Sequence, residues 1–442
     1  MSPQESTPLM TLNDDSKTPL PTSLSMECDD QPSDGKLKMF YTAGVAAAAV
    51  ALSAALIISR HHKGSSPSSS SLRAQMQPIG PYKLLECQEG KEFFDFYDFY
   101  EGPDSLGSAG YNTYVGKERA LEQGLVNVTE DELTDDSFIF MKSAPTALGP
   151  RESIRLEGKT RFERGLFLLD LEHMPVGCGV WPAFWLTDED HWPLHGEIDV
   201  VEGVNYQTSA KTALHTSESC SMYAHVPRWS WTGAWDNATG IPDTFTGELM
   251  TDTHVPADNC WNMAPHQWAN QGCVAVDTRN DTIGQPLNRR GGGVYALEWD
   301  PANGYIKSWV FHHHYMPDNL QDSVDTAKSA SEDRVLPDPS TWGAPYAYFA
   351  IGDRSGCAAD HFQNMRLVFN LAFCGTVSGN RYFTDCPAQA KLVRVKEDPV
   401  QSCNAYIDSD PEELEEEAYW KIRGVYVYER DLIANAKTNA TN

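Results

Sequence analysis

Three carboxylates, Glu197, Asp199 and Glu202, stand within six residues of an otherwise apolar, β-prone run, GEIDVVEG (Gly196 to Gly203). Isolated carboxylates are strongly disfavoured on a buried strand, so a cluster of three demands a chemical reason, either catalysis or metal binding. On an extended strand the side chains alternate, which puts Glu197 and Asp199 on one face and sends Glu202 to the other. One extra residue bulged out at Val200/Val201 returns Glu202 to its partners, and bulges are common beside active sites.

With that bulge the two glutamates lie about 13 Å apart along the strand, at about 3.3 Å for each of four effective steps. Side chains leaning together bring the carboxyls to about 5 to 6 Å, the spacing that suits double displacement at a glycosidic carbon and leaves no room for the water of an inverting reaction. Asp199 between them orients one glutamate and helps the other keep a proton, so the three titrate as a unit.

The net charge of −28 argues against nucleic acid and against an anionic lipid surface as partners. A neutral substrate fits better. The 12 Trp and 18 Tyr exceed what a core needs and suit a surface that stacks on flat apolar faces such as sugar rings, although at least half of them must be core.

Residues 1–38 are rich in Ser, Pro, Thr and Asp and predict a disordered tail. Met39 to Ser59 is free of charge and long enough to span a bilayer as a single transmembrane helix. A cleaved signal peptide is the competing reading, but an acidic leader of this length is long for that purpose. Flanking charge does not orient the span, since Lys36 and Lys38 face Arg60 and Lys63. Nine of the ten cysteines follow it, as do four acceptor sequons at Asn127, Asn237, Asn280 and Asn439. Both favour an oxidising compartment for the C-terminal part, hence a type II signal-anchor with its large domain lumenal or extracellular. Nine is odd, which leaves at least one of these thiols free or paired elsewhere. Residues 60–80 read as a Ser-rich linker, 81–430 as the globular domain and 431–442 as a tail.

Within 81–430 short alternating runs recur between turn signals, as in Tyr305 to Phe311, and predict two antiparallel sheets packed face to face with outward faces wet. The fold class is all-β, a sandwich. Residues 226–293 read as long ordered loops held by Cys260 and Cys273, and Asp408 to Glu417 as a solvated acidic helix or loop. No CxxC spacing occurs, and of His312, His313 and His314 alternation aligns only two, so neither metal nor cofactor is expected. Glu298 either reaches the cleft or pairs with a cation on a surface strand.

WPAFW (Trp181 to Trp185), Trp192, GEIDVVEG and LHT (Leu214 to Thr216), with GGGVYALEWD, NMRLVFNLAFCG and WKIRGVYVYE further on, resemble glycoside hydrolase family 16, the β-jelly-roll laminarinases and mixed-linkage β-glucanases. The resemblance covers most of residues 85–430. It implies Glu197 as nucleophile, Asp199 as its assistant and Glu202 as general acid/base. It also implies Trp185 and Trp192 as tryptophans stacking on glucosyl rings, and His215 as a contact on the leaving-group side. Trp181, Asn205 and Asn370 are further candidates for substrate binding, although Trp181 and Trp185 share a face that also suits a core. The implied activity is retaining, endo-acting hydrolysis of β-1,3- or mixed β-1,3/1,4-glucan. A glucan transglycosylase uses the same intermediate, and the anchor suits it because fungal membrane-anchored glucan-synthesis proteins share this topology and fold. A glucan-binding lectin would have no need of all three carboxylates.

Overall fold

The computed structural model describes residues 76–434, apart from 105–107, 131–135, 146–148, 239–254, 330 and 354. Its two large sheets are built from sixteen strands, with two small sheets of two and three strands beside them among the described residues. The first eight are β1 (Met76–Glu89), β2 (Tyr97–Phe99), β3 (Val126–Glu130), β4 (Ser137–Lys142), β5 (Arg155–Gly158), β6 (Gly165–His173), β7 (Val180–Thr187) and β8 (Glu197–Glu202). Then come β9 (Lys211–His215), β10 (Ala234–Trp235), β11 (Cys273–Val276), β12 (Gly293–Asp300), β13 (Tyr305–His312), β14 (Ala347–Ala350), β15 (Arg366–Phe373) and β16 (Tyr419–Ala434).

One sheet runs β14-β13-β12-β6-β16-β4-β3, with β1 also on β16, and the other runs β10-β11-β9-β8-β7-β15-β5-β2. Every pairing in both is antiparallel. The main core lies between them, where Phe167, Leu169, Leu297 and Trp299 of the first sheet meet Phe184, Leu186, Ile198 and Leu214 of the second. This is the all-β sandwich that the alternating runs predict.

The outward face of the first sheet is not wet. Helix α1 (Asp318–Asp325) lays Leu320 and Val324 over Leu166, Leu168, Val294, Ala296 and Trp309. β6 is therefore apolar on both faces, which explains its unbroken run GLFLLDL, and the alternation of β13 breaks at Trp309. The domain also begins earlier and ends later than composition suggests. Met76 to Ile79, read as linker, pair with Asp431 to Ala434, read as tail, because β1 continues past the Gln and Pro residues that look like spacer.

Four disulfides tie the loops: Cys178–Cys386, Cys220–Cys357, Cys260–Cys273 and Cys374–Cys403, leaving Cys87 as the free thiol among the described residues. Two of them clamp a helical segment against the ends of β7 and β15. Its helix α2 (Pro399–Asp408) starts where Asp398 accepts the Gln401 amide and Pro399 opens the first turn. The acidic run forms α3 (Glu412–Glu417), and it is more than a solvated face: Leu414 is buried and Glu413 accepts the hydroxyls of Tyr206 and Tyr406. The span Met39 to Ser59 and the sequon Asn439 lie outside the described residues. Among those described, no helix is long and apolar enough to cross a membrane.

Candidate active site

β7 and β8 pair with one register shift. Phe184 faces Val201 and Trp185 faces Asp199, so Val200 is the extra residue. Val200 and Val201 both enter the inter-sheet core beside Ile198, and Glu202 returns to the face of Glu197 and Asp199. The bulge falls where alternation demands it. Across the strands Glu197 faces Thr187 and His215, Asp199 faces Trp185 and Ala213, and Glu202 faces Ala183.

Two glycines let the backbone close around this row. Gly196, with φ +71°, would drive a side chain into the carbonyl of His361, and Gly272, with φ +66°, into the carbonyl of Leu214 and the ring of His215.

His215 Nε2 lies 3.1 Å from Asp199 Oδ2 and 3.9 Å from Glu197 Oε1. Trp181 donates its indole N–H to Glu202 Oε1 at 2.5 Å. Burial first, and then the Asp199 charge, push Glu197 up to about 8, with the His215 imidazolium acting against them. The same two causes push Glu202 up to about 7, opposed by the Trp181 hydrogen bond. Burial lowers His215, but the hydrogen bond to Asp199 and the charges of Glu197, Asp199 and Glu202 outweigh it and raise the imidazole to about 9. At neutral pH the row thus holds an imidazolium beside the Asp199 carboxylate, with a proton retained largely on Glu197 and in part on Glu202. That is a site equipped for acid/base and nucleophilic work at one carbon.

The remaining candidates separate. Trp185 is half-buried, donates to Asn370 Oδ1 at 2.8 Å and lies under the Arg155 guanidinium at 5.3 Å. Asn370 pairs with Ala183 and Arg155, so it shares the carboxylates' sheet face and orients Trp185. Trp192 is 38% exposed on the loop before β8. Trp181 is buried, packed with Val204 and Ala372.

Asn205 belongs elsewhere. It is 3% exposed and fully engaged: Oδ1 accepts from the Gly179 amide and the Ser378 hydroxyl, and Nδ2 donates to Ser378 O and Asp385. No donor or acceptor is left for a sugar hydroxyl. Glu298 does not reach the cleft either. It lies buried in β12 on the opposite sheet, accepting from Tyr82 at 2.7 Å with Lys307 and Arg430 each 3.8 Å away. His312 and His313 bond to Asp281 O and Asp170 respectively.

Three groups beside the row escaped sequence reasoning. Arg155, in the short run SIRLEG, lies between the rings of Tyr100 and Trp185 and its charge favours ionised Glu197. Lys211 pairs with Asp236 at 2.5 Å and does the same for Glu202. Asp188, His191 and His195 gather just upstream of β8.

Residues 97–428 match a family model described as an XgeA-like, catalytic GH16 domain. The chain belongs to glycoside hydrolase family 16. Among family members similar to it, a probable endo-1,3(4)-beta-glucanase of Aspergillus fumigatus is 32% identical over 360 residues, covering 80% of this chain and 46% of that one. The endo-1,3(4)-beta-glucanase xgeA of Emericella nidulans is 31% identical over 356 residues, 79% of this chain and 47% of that one. The chain thus spans about half the length of these curated relatives. A crystal structure of an elongating family 16 beta-1,3-glucosyltransferase superimposes with a TM-score of 0.60 at 30% identity, over 79% of this chain and 100% of that one. Laminarinase 16A from Phanerochaete chrysosporium, with beta-glucans in donor and acceptor sites, gives 0.61 at 27% identity over the same shares.

Proposed function

We propose that this family 16 member is a retaining, endo-acting β-glucanase that cleaves β-1,3- or mixed β-1,3/1,4-glucan. The observation that carries the reading is the bulge at Val200, which sets Glu197, Asp199 and Glu202 in one row beside His215. The names of its relatives support the substrate class.

Glu197, as carboxylate, attacks the anomeric carbon while Glu202 passes its proton to the departing glycosidic oxygen. A glycosyl ester on Glu197 results. Glu202, now ionised, takes a proton from the incoming water, whose oxygen attacks the same carbon and frees Glu197. Asp199 holds His215 beside Glu197, and the His215 charge keeps the ionised form of Glu197 accessible. Trp185 and Trp192 are the groups we assign to stacking on glucosyl rings, with Asn370 holding Trp185.

A second reading, in which a sugar hydroxyl replaces water, is favoured by the likeness to an elongating glucosyltransferase. Incubating the protein with laminari-oligosaccharides and resolving the products by mass separates the two. Shorter products alone mean hydrolysis, products longer than the input mean transfer, and binding without change means a lectin. Glu197→Gln abolishes either activity with the fold intact; unchanged turnover would overturn the assignment. Initial release of the α-anomer, followed by proton NMR, would refute retention.

For the whole chain we propose a single-pass type II membrane protein anchored by Met39 to Ser59, its catalytic domain lumenal or extracellular and glycosylated at exposed sequons such as Asn127 and Asn280. Four disulfides support an oxidising setting. Deletion of 39–59 should move the protein from the alkali-washed membrane pellet to the soluble fraction.

A further inference from the structure

We propose that Asp188, His191 and His195 form a site for a zinc-class divalent ion that fastens the loop carrying Trp192. The loop joins β7 to β8. Asp188 is fully buried at its start, and the Nδ1 atoms of His191 and His195 both converge on its Oδ2, at 2.9 and 2.6 Å. The two imidazoles stack with centroids 4.5 Å apart and planes 23° apart. One ligand atom from each residue lies within 4.8 Å of the others.

Two imidazoles and one carboxylate form the donor set of borderline ions such as zinc, whereas calcium and magnesium prefer oxygen alone. With metal–ligand bonds of roughly 2.0 to 2.1 Å, tetrahedral donors sit about 3.4 Å apart. The imidazole nitrogens therefore have to withdraw from Asp188 by about half an ångström or a little more. They have the freedom to do so: the His191 side chain is 55% exposed and that of His195 27%. Asp188 does not move, because Asn364 donates to it at 3.1 Å and Arg161 stands 3.4 Å away.

Facing a carboxylate, each Nδ1 carries the ring hydrogen. To bind the ion, each neutral ring shifts that hydrogen to Nε2 through solvent and turns the Nδ1 lone pair inward. Neither Nε2 has a protein partner among the described residues, so the exchange breaks no other contact. A fourth position is left for water, as the exposure of His191 requires.

The backbone is already shaped for it. His191 N bonds Asp188 O, and Leu194 N and His195 N both bond His191 O, closing a turn around Trp192. Pro193 O accepts from Ser217, and His195 O from Gln363. Loading the site cross-links this turn to buried Asp188 and holds Trp192 at one setting. Its effect on glucan affinity rests on the glucanase reading; the ion site does not.

The catalytic row also contains carboxylates and an imidazole, in Glu197, Asp199 and His215, so the test must tell the two clusters apart. Full-length protein is titrated with Co²⁺, followed by its visible absorption, and then with Zn²⁺ in competition. One equivalent is expected at the His191/His195 site. His191→Ala and His195→Ala should each weaken it by more than the ~10–100-fold that losing a group behind a ligand costs. His191→Cys, which supplies another ligand, should restore binding, and Glu197→Gln should leave it unchanged. If an alanine variant fails to fold by circular dichroism, His191→Asn keeps a donor for Asp188 and reads the same loss. The proposal is overturned if Zn²⁺ and Co²⁺ show no saturable binding at micromolar concentration, if the histidine variants bind as the parent does, or if Glu197→Gln alone removes the equivalent.

Discussion

His215 Nε2 stands 3.1 Å from Asp199 Oδ2, a hydrogen bond that keeps an imidazolium beside the proposed nucleophile. Glu197 has to be ionised to attack and Glu202 protonated to donate. With Glu197 raised to about 8 and Glu202 to about 7, the competent arrangement is the rarer singly protonated form. Below about 7 both glutamates hold protons, and above about 8 neither does. The profile of kcat/KM should therefore be a bell with its top between those values, falling about tenfold per pH unit on either side. His215→Gln removes the charge that favours ionised Glu197, so the competent form becomes scarcer. The same charge also lowers Glu202, so the maximum should drop about tenfold for each unit by which Glu197 rises more than Glu202. Steady-state kinetics on a soluble laminarin across the range checks both points; a maximum near about pH 5 contradicts them.

Glu202 is held down by the Trp181 indole N–H, the largest of the influences opposing its rise. Trp181→Phe keeps an aromatic ring against Val204 and Ala372 and removes only the donor. A hydrogen bond to a charged group contributes roughly 1.5 to 3 kcal/mol, so Glu202 should hold its proton more tightly by about one unit or more. The limb of the profile near 7 then moves up toward 8, where it merges with that of Glu197. An unmoved limb would mean that Trp181 serves packing alone.

The bulge makes opposite predictions for one residue removed and one added. Deleting Val200 straightens β8, yet alternation then carries Glu197, Asp199 and Glu202 to the same face at the same four steps. Activity should survive, reduced, with a stability loss on the order of 1 to 3 kcal/mol for the lost core side chain. Adding an alanine between Val200 and Val201 also straightens the strand but lengthens the interval to about six steps, roughly 20 Å. That variant should fold and be inactive. Equal loss in both, measured on laminari-oligosaccharides with circular dichroism as control, would mean that the kink itself matters and not the spacing it sets.

This symmetry explains why the site was legible and much of its surroundings was not. Periods of two along a strand, broken by an acidic residue out of phase, are visible in GEIDVVEG alone, and so was the sandwich. What β6 buries on its outer face depends on α1, some 150 residues later, and no local period announces that helix as its cover. Long-range pairing hid the rest. Cys178 meets Cys386 across 208 residues, whereas Cys260–Cys273, 13 apart, is a pair that proximity suggests. Arg155 reached the row through a strand pairing with Asn370 that residues around Arg155 do not encode.

Asn205 shows the reverse error, a polar residue near the motif whose chemistry serves the fold. It sits at φ +53°, a left-handed conformation that asparagine tolerates better than most side chains. Its amide closes four contacts between the turn before β7, Ser378 and Asp385. Asn205→Ala leaves those buried groups without partners and strains the backbone, so it should lower stability by about 2 to 4 kcal/mol in denaturant unfolding. Folded molecules should keep the parent KM for laminari-oligosaccharides, because nothing in the row depends on that amide. A variant that unfolds at the parent's midpoint but binds substrate about tenfold more weakly, a loss near 1.4 kcal/mol, would return Asn205 to the cleft.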